Sequence, residues 1–258
     1  MPTLPPTQIV AEVFAGDIER LILPAADLEV LPGVPWGHAH ALFHPAYWAA
    51  QLWYTQREDL YGDYRWSRSL REEVIACLLG GHGITFETNA AAFQRLQNRG
   101  LLLDPGETPE AVIAALKEPL PVNGRAVCYR FPNQKGRFVH EALLKLAREE
   151  APVTDAQLFR KWLLSFRGIG IKTASWITRN ALDSQEVAVI DIHIFRAGVV
   201  AGFFSGRERL PKDYGLLETR FLDFSHALGA DPRRLDVLMW RQMRDLGDLA
   251  IRRYLRAA

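Results

Sequence analysis

The stretch that decides the fold is "FRGIGIKTASWITRN", residues 166–180. Two glycines two residues apart, Gly168 and Gly170, stand between apolar runs at helical spacing. Glycine reaches positive φ without a Cβ penalty, so the pattern predicts a tight turn joining two helices. The second helix then opens with bare backbone N–H groups at the positive end of its dipole, an anion site suited to a phosphate. Lys172 falls in the first turn of that helix, where a cation is disfavoured by about 0.3–1 kcal/mol when exposed. Such a placement favours a neutral, nucleophilic amine, and a solvated lysine is the plainer alternative.

Working outward, "TDAQLFRKWLLSF" precedes the turn and reads as a helix opened by a capping box of Thr154 and Gln157. After it, "DSQEVAVI" is short and extended, and "DIHIFRAGVVAGFF" is an apolar helix headed by Asp191. Asp191 reads as an N-cap worth about 1 kcal/mol, and a capping carboxylate is also rigid and ionised. If a helix of about ten residues follows Gly170 and the chain doubles back, Asp191 returns close to Lys172. An amine and a fixed carboxylate facing one cavity form a nucleophile with its electrostatic partner.

The remaining chain is read as helical. "SLREEVIACLLG" ends at Gly80 as a C-cap, "GGHGITFETN" is a glycine-rich loop, and "NAAAFQRLQNRG" runs from an Asn89 cap. "TPEAVIAALKE", a helix from about Gly136 to Glu150, "YGLLETRFLDFSHALG" and "DPRRLDVLMWRQMRDLG" complete the set. "TQIVAEVFAGDIERLIL" has mixed spacing and fits a strand or a helix. The aromatics of 36–66, including Tyr61, Tyr64 and Trp66, read as a packing cluster, with one or two able to wall a pocket. The 258 residues carry a 48% apolar share, enough for a full core, and a net charge of +1 that leaves a nucleic-acid partner to local patches. Two cysteines, Cys77 and Cys128, exclude a disulfide framework and a four-thiolate iron–sulfur cluster, and suit a reducing cytosol. No signal peptide and no membrane-spanning run is readable. His38, His40 and His44 are close in sequence, but no carboxylate or cysteine completes a zinc set.

The region Phe166–Gly198 resembles the active-site region of the helix-hairpin-helix DNA glycosylases, and within them the 8-oxoguanine DNA glycosylases. The family pattern is an apolar residue, proline, glycine, apolar, glycine, any residue and lysine, then an apolar–Asp–x–His element; here it reads "FRGIGIK" and "VIDIHIF", with lysine and aspartate nineteen apart. "RGIGIKTASWITRN" and the late "LDVLMW" are similar to the compact microbial members, and the resemblance covers about residues 66–250. Arg167 stands where the family usually has proline, adding a phosphate contact to a less stiff turn, and Trp176 lies where pocket-lining residues sit.

The resemblance implies an all-α protein of two helical lobes, with a helix-hairpin-helix and the active site in the cleft between them. The central lobe would span 67–190 and end in the hairpin; residues 1–66 would pack with a C-terminal lobe of 191–258. It implies a DNA repair glycosylase that flips an oxidised purine, 8-oxoguanine first, out of duplex DNA. Lys172 would attack C1′ to form a Schiff base, Asp191 would stabilise positive charge on the sugar, and β-elimination would nick the strand. Arg167, Gly168, Gly170 and His193, with Arg130, Lys135 and Arg137 of "YRFPNQKGRF", would bind the DNA backbone. Trp176 and Trp240 would line the base pocket, and His82 or Ile84 would fill the hole left by the flipped base. Each has a plainer reading as a core or solvated residue. The chemistry needs no cofactor and no metal. The partner would be double-stranded DNA with a damaged base, bound by a monomer in the cytoplasm or nucleoid. The rivals are a glycosylase for a different modified base and a non-catalytic helix-hairpin-helix DNA-binding module.

Overall fold

A computed structural model of the chain describes residues 7–60, 69–81 and 83–257, with side chains up to Gly247. Tyr61, Tyr64, Trp66 and His82 lie outside the described residues. In chain order the elements are β1 (Thr7–Phe14), β2 (Asp17–Pro24), β3 (Glu29–Leu31), β4 (Val34–Pro35), α1 (Pro45–Tyr54), α2 (Leu70–Leu79), α3 (Phe86–Asn98) and α4 (Glu110–Lys117). Then follow β5 (Leu120–Val122), β6 (Arg125–Val127), α5 (Pro132–Arg148), α6 (Ala156–Leu163), α7 (Ile171–Leu182), α8 (Ile192–Ala201), α9 (Tyr214–Ala227) and α10 (Pro232–Ala257). The chain is mostly helical, as the periodicity predicts, but the described residues also form three two-stranded antiparallel hairpins. It divides into two units, one of Met1–Tyr64 with Val187–Ala258 and one of Arg65–Glu186.

The ambiguous N-terminal stretch resolves as a hairpin. β1 and β2 pair in full register, Ile9 with Ile22 and Val13 with Ile18. Ala15 and Gly16 turn the chain at φ 52° and 94°, the two-residue geometry whose twist matches paired strands. Val10 and Leu23 face inward and pack with Trp36, Ala46 and Ala50. α1 packs on α10, where the Tyr47 hydroxyl donates to Gln242 Oε1 at 2.7 Å and Gln242 Nε2 donates to Gln51 Oε1 at 3.0 Å. α10 changes direction at Gly247, which is non-helical (φ 68°, ψ 161°).

In the other unit α2 is buried at every position from Glu73 to Leu79, the expectation for a helix surrounded by others. It contacts α3, α5 and α7. Its buried charge, Glu73, accepts from Asn180 Nδ2 of α7 at 2.6 Å, which keeps a carboxylate tolerable inside. Three predicted helix starts move. α3 opens at Phe86 because Thr85 caps it, accepting from Thr88 N; Asn89 instead lies within the helix and donates to Ala76 O. α5 begins at Pro132, a residue that suits a first turn because it has no N–H to satisfy. Asp155, not Thr154, caps α6 by accepting from Leu158 N at 2.8 Å. The β5–β6 hairpin turns on Asn123–Gly124, both at positive φ. Among the described residues no helix is long and apolar enough to cross a membrane.

The two thiols sit in opposite environments. Cys77 is buried in α2, where desolvation and then the neighbouring Glu73 carboxylate hold its thiol well above the ordinary range, whereas Cys128 is exposed. A thiol must ionise and be reached to react. Brief treatment of the folded protein with an alkylating reagent should label Cys128 and spare Cys77 until denaturant is added; mass spectrometry of the peptides reads this, and early labelling of Cys77 would contradict the packing of α2.

Candidate active site

The turn between α6 and α7 uses its two glycines differently. Gly168 sits at φ +89°, and a Cβ there would meet the Phe138 ring at 2.3 Å. Gly170 has an ordinary φ of −94°, caps α7 without any side-chain bond, and faces open space. The first serves the turn and a close approach; the second leaves the α7 N-terminal donors uncovered, as an anion site requires. One face of α5 holds the turn in place. Phe138 packs on Gly168, and the Arg167 guanidinium lies 5.3 Å above that ring while its Nη1 reaches Glu141 at 3.2 Å. Lys145 donates to Ser165 Oγ at 2.7 Å and lies 4.9 Å over the Phe166 ring. Positions 138, 141 and 145 share a helix face, so Arg167 is tied to α5 at the place where a proline would have supplied stiffness.

Lys172 is the second residue of α7 and is exposed. Beyond Lys172, α7 buries several polar side chains, Ser175, Thr178, Arg179 and Asn180. Ser175 accepts from Arg160 Nη1 at 3.2 Å, and Asn180, which bonds Glu73, also accepts from Arg179 Nε at 3.1 Å. These directional contacts fix the rotation of α7. No sequence signal announced them, since Glu73 and Asn180 are 107 residues apart.

Asp191 caps α8 in the other unit, as expected: Oδ1 accepts from His193 N at 2.8 Å and Ile194 N at 3.0 Å. Both cap bonds fall on one oxygen, which leaves Oδ2 for another partner. The His193 ring stands edge-on to Trp240, centroids 6.3 Å apart, with Nδ1 buried and lacking a hydrogen-bond partner. Arg244 lies 4.6 Å over the Trp240 ring.

The other candidates are distributed more widely. Lys135 Nζ donates to Leu78 O at 2.6 Å and Gly80 O at 2.7 Å, and the Tyr129 hydroxyl donates to Leu79 O at 2.5 Å. The Lys135 amine, which desolvation pulls below the ordinary lysine range, therefore closes the C-terminus of α2. Arg130 lies 4.9 Å over the Phe131 ring and against Gly83, where an added Cβ would meet its Nη1 at 1.8 Å. The glycine loop is thus gripped from the segment just before and within α5. Arg137 is exposed. Ile84 and Trp176 are half-buried on the core of their unit, and the Trp176 indole N–H is buried without a partner. The His38 and His40 rings stack at 5.1 Å, yet among the described residues no group of three His, Cys, Asp or Glu side chains is placed to hold a metal.

A bare helix N-terminus after a glycine turn, a lysine in its first turn and a capping aspartate nineteen residues on define the class: a helix-hairpin-helix DNA glycosylase. Residues 63–230 match the family model of the 8-oxoguanine DNA glycosylases, and the chain belongs to that family. It is 30% identical over 173 residues to an 8-oxoguanine DNA glycosylase/AP lyase of Metallosphaera sedula, covering 65% of this chain and 78% of that protein. The fold is similar to that of the 8-oxoguanine DNA glycosylase of Thermotoga maritima (TM-score 0.56, 20% identity, 80% of this chain and 97% of that one). It is also similar to the Methanocaldococcus jannaschii 8-oxoguanine glycosylase/lyase solved with a 15mer DNA containing 8-oxoguanine (TM-score 0.54, 17% identity, 76% and 97% covered).

The glycines separate in a stability measurement. Gly168→Ala combines a left-handed backbone with a clash and should cost about 2–4 kcal/mol. Gly170→Ala changes only a cap and should cost about 1 kcal/mol or less. Equal losses in chemical denaturation would contradict the assigned roles.

Proposed function

We propose that this protein excises 8-oxoguanine from duplex DNA and cleaves the strand at the resulting site, acting through Lys172. The observation that carries the reading is an exposed lysine in the uncapped first turn of α7, within the region that matches the family. The α7 N-terminus would take a DNA phosphate and set the register of the strand without reading sequence. The lesion must leave the stack to be reached. The Lys172 amine then attacks C1′, the N-glycosidic bond breaks, and the base leaves with the bonding pair and takes up a proton. Opening of the sugar gives an imine on Lys172. Loss of a C2′ proton expels the 3′ phosphate, and water releases the enzyme. The Asp191 carboxylate, its Oδ1 committed to the cap, would face developing positive charge on the sugar with Oδ2. His193 and Arg167 are proposed at the backbone, and Trp176 and Trp240 at the base. The protein would act as a monomer in the cytoplasm. The complex of the M. jannaschii enzyme with 8-oxoguanine DNA supports this choice of base.

Lys172→Gln should abolish base release and borohydride trapping of the enzyme on lesion DNA, while duplex affinity changes by only a few fold. Normal trapping by that variant would sink the assignment. Asp191→Asn tests the carboxylate apart from the cap, because asparagine caps a helix as well as aspartate does. It should keep a near-normal melting temperature yet excise base about a hundredfold more slowly, the usual scale for a lost preorganised charge. Full excision by Asp191→Asn would reduce the residue to a cap.

A further inference from the structure

The residues that lead into Asp191 are extended and buried, but they belong to no strand. Val187, Ala188 and Ile190 are each 1% exposed. Backbone donors in such a place must be paired, ordinarily by a neighbouring strand. Here side chains of α9 and α10 pair three consecutive N–H groups. Ala188 N donates to Glu218 Oε1 at 3.0 Å, Val189 N to Asp236 Oδ2 at 3.2 Å, and Ile190 N to the Tyr214 hydroxyl at 3.2 Å. That hydroxyl also donates to Ala188 O at 2.7 Å. Tyr214, Glu218 and Asp236 are themselves buried, at 3%, 6% and 4% exposure.

This is a costly way to satisfy a backbone. Two carboxylates sit in the interior, where each must be fully bonded to be tolerated. Four bonds from two helices fix the segment's translation and twist together. The segment ends at Asp191, whose φ and ψ are set on the far side by the first turn of α8. α8 cannot shift freely either, because a Cβ on Gly198 would lie 2.2 Å from the Phe204 ring, so no space separates the helix from the turn after it.

We propose that Tyr214, Glu218 and Asp236 are positioning residues for Asp191: they clamp the backbone that carries it, so that its free carboxylate oxygen is held in one place. None of the three touches substrate in this account. The proposal rests on the reading of Asp191 as the group that answers sugar charge. A preorganised charge acts through fixed geometry, and a small displacement of it is expensive in rate.

The test is a double-mutant cycle read in single-turnover excision of 8-oxoguanine and in melting temperature. Tyr214→Phe removes the one hydroxyl that bonds both Ile190 and Ala188. In the native background it should slow excision about tenfold while affinity for lesion duplex stays within about twofold, since a shift of one misplaced group costs rate before binding. In the Asp191→Asn background the same change should slow excision no further, although it lowers the melting temperature by the same amount in both. Asp236→Ala, which removes the acceptor of Val189 N, is run in the same cycle and carries the test should Tyr214→Phe not fold. Equal slowing in both backgrounds, or no slowing in the native one, would overturn the proposal. Should Asp191→Asn itself excise at full rate, the reading of Asp191 falls and not the clamp; exchange of the Ile190 amide, slow in the native protein and fast in Tyr214→Phe, then decides the clamp alone.

Discussion

Backbone polar groups that no helix or sheet can pair are the constraint on which this structure turns. An unpaired buried N–H or C=O costs about as much as a lost hydrogen bond. Three places meet that constraint in different ways. The C-terminus of α2 gives its carbonyls to Lys135 and Tyr129. The stretch before Asp191 gives its amides to Tyr214, Glu218 and Asp236. The N-terminus of α7 gives its amides to no side-chain cap and stays open at the surface. The first two are closed from within and are rigid for that reason. The third is left without a cap, and Lys172 stands in its first turn.

The rigidity of the open site is borrowed from α5. The turn before α7 has no proline to stiffen it. Its stiffness comes from a ring packed on bare Gly168, a guanidinium stacked on that ring, and charges along one helix face. The exposed Arg167–Glu141 ion pair is worth roughly 0.2–1 kcal/mol on its own. The joint effect of these contacts is geometric, because four contacts from one helix leave the turn little freedom.

The N-terminal hairpins answer a different need. Residues before 63 lie outside the stretch that matches the family model. They nevertheless belong to the unit that carries Asp191, where α1 rests on α10 and the β1–β2 hairpin covers part of α1. A single two-stranded hairpin is marginal in water. Burial of Val10 and Leu23 against Trp36, Ala46 and Ala50 supplies the apolar face it lacks alone.

What the sequence by itself determined was whatever depends on local covalent chemistry. The glycine turn, the lysine just beyond it, the Asp191 cap and the helical period around them are all short-range, so residues 166–198 were legible without a structure. Local signals also exist for the hairpins, Asn123–Gly124 between Val122 and Arg125 and Ala15–Gly16 within the N-terminal stretch, but the strands beside Asn123–Gly124 are three residues long and too short to show a period. Only the tertiary structure decided that Glu73 meets Asn180 and that Lys135 turns inward to carbonyls. The same holds for Glu141, which holds Arg167, and for the buried carboxylates of Glu218 and Asp236, which replace a strand. Those partners lie 26 to 107 residues apart, with the carbonyls at the C-terminus of α2 at 55 and 57 from Lys135. Nothing in a window of sequence marks which distant donor will pair with which acceptor, because that choice is made by how the helices pack.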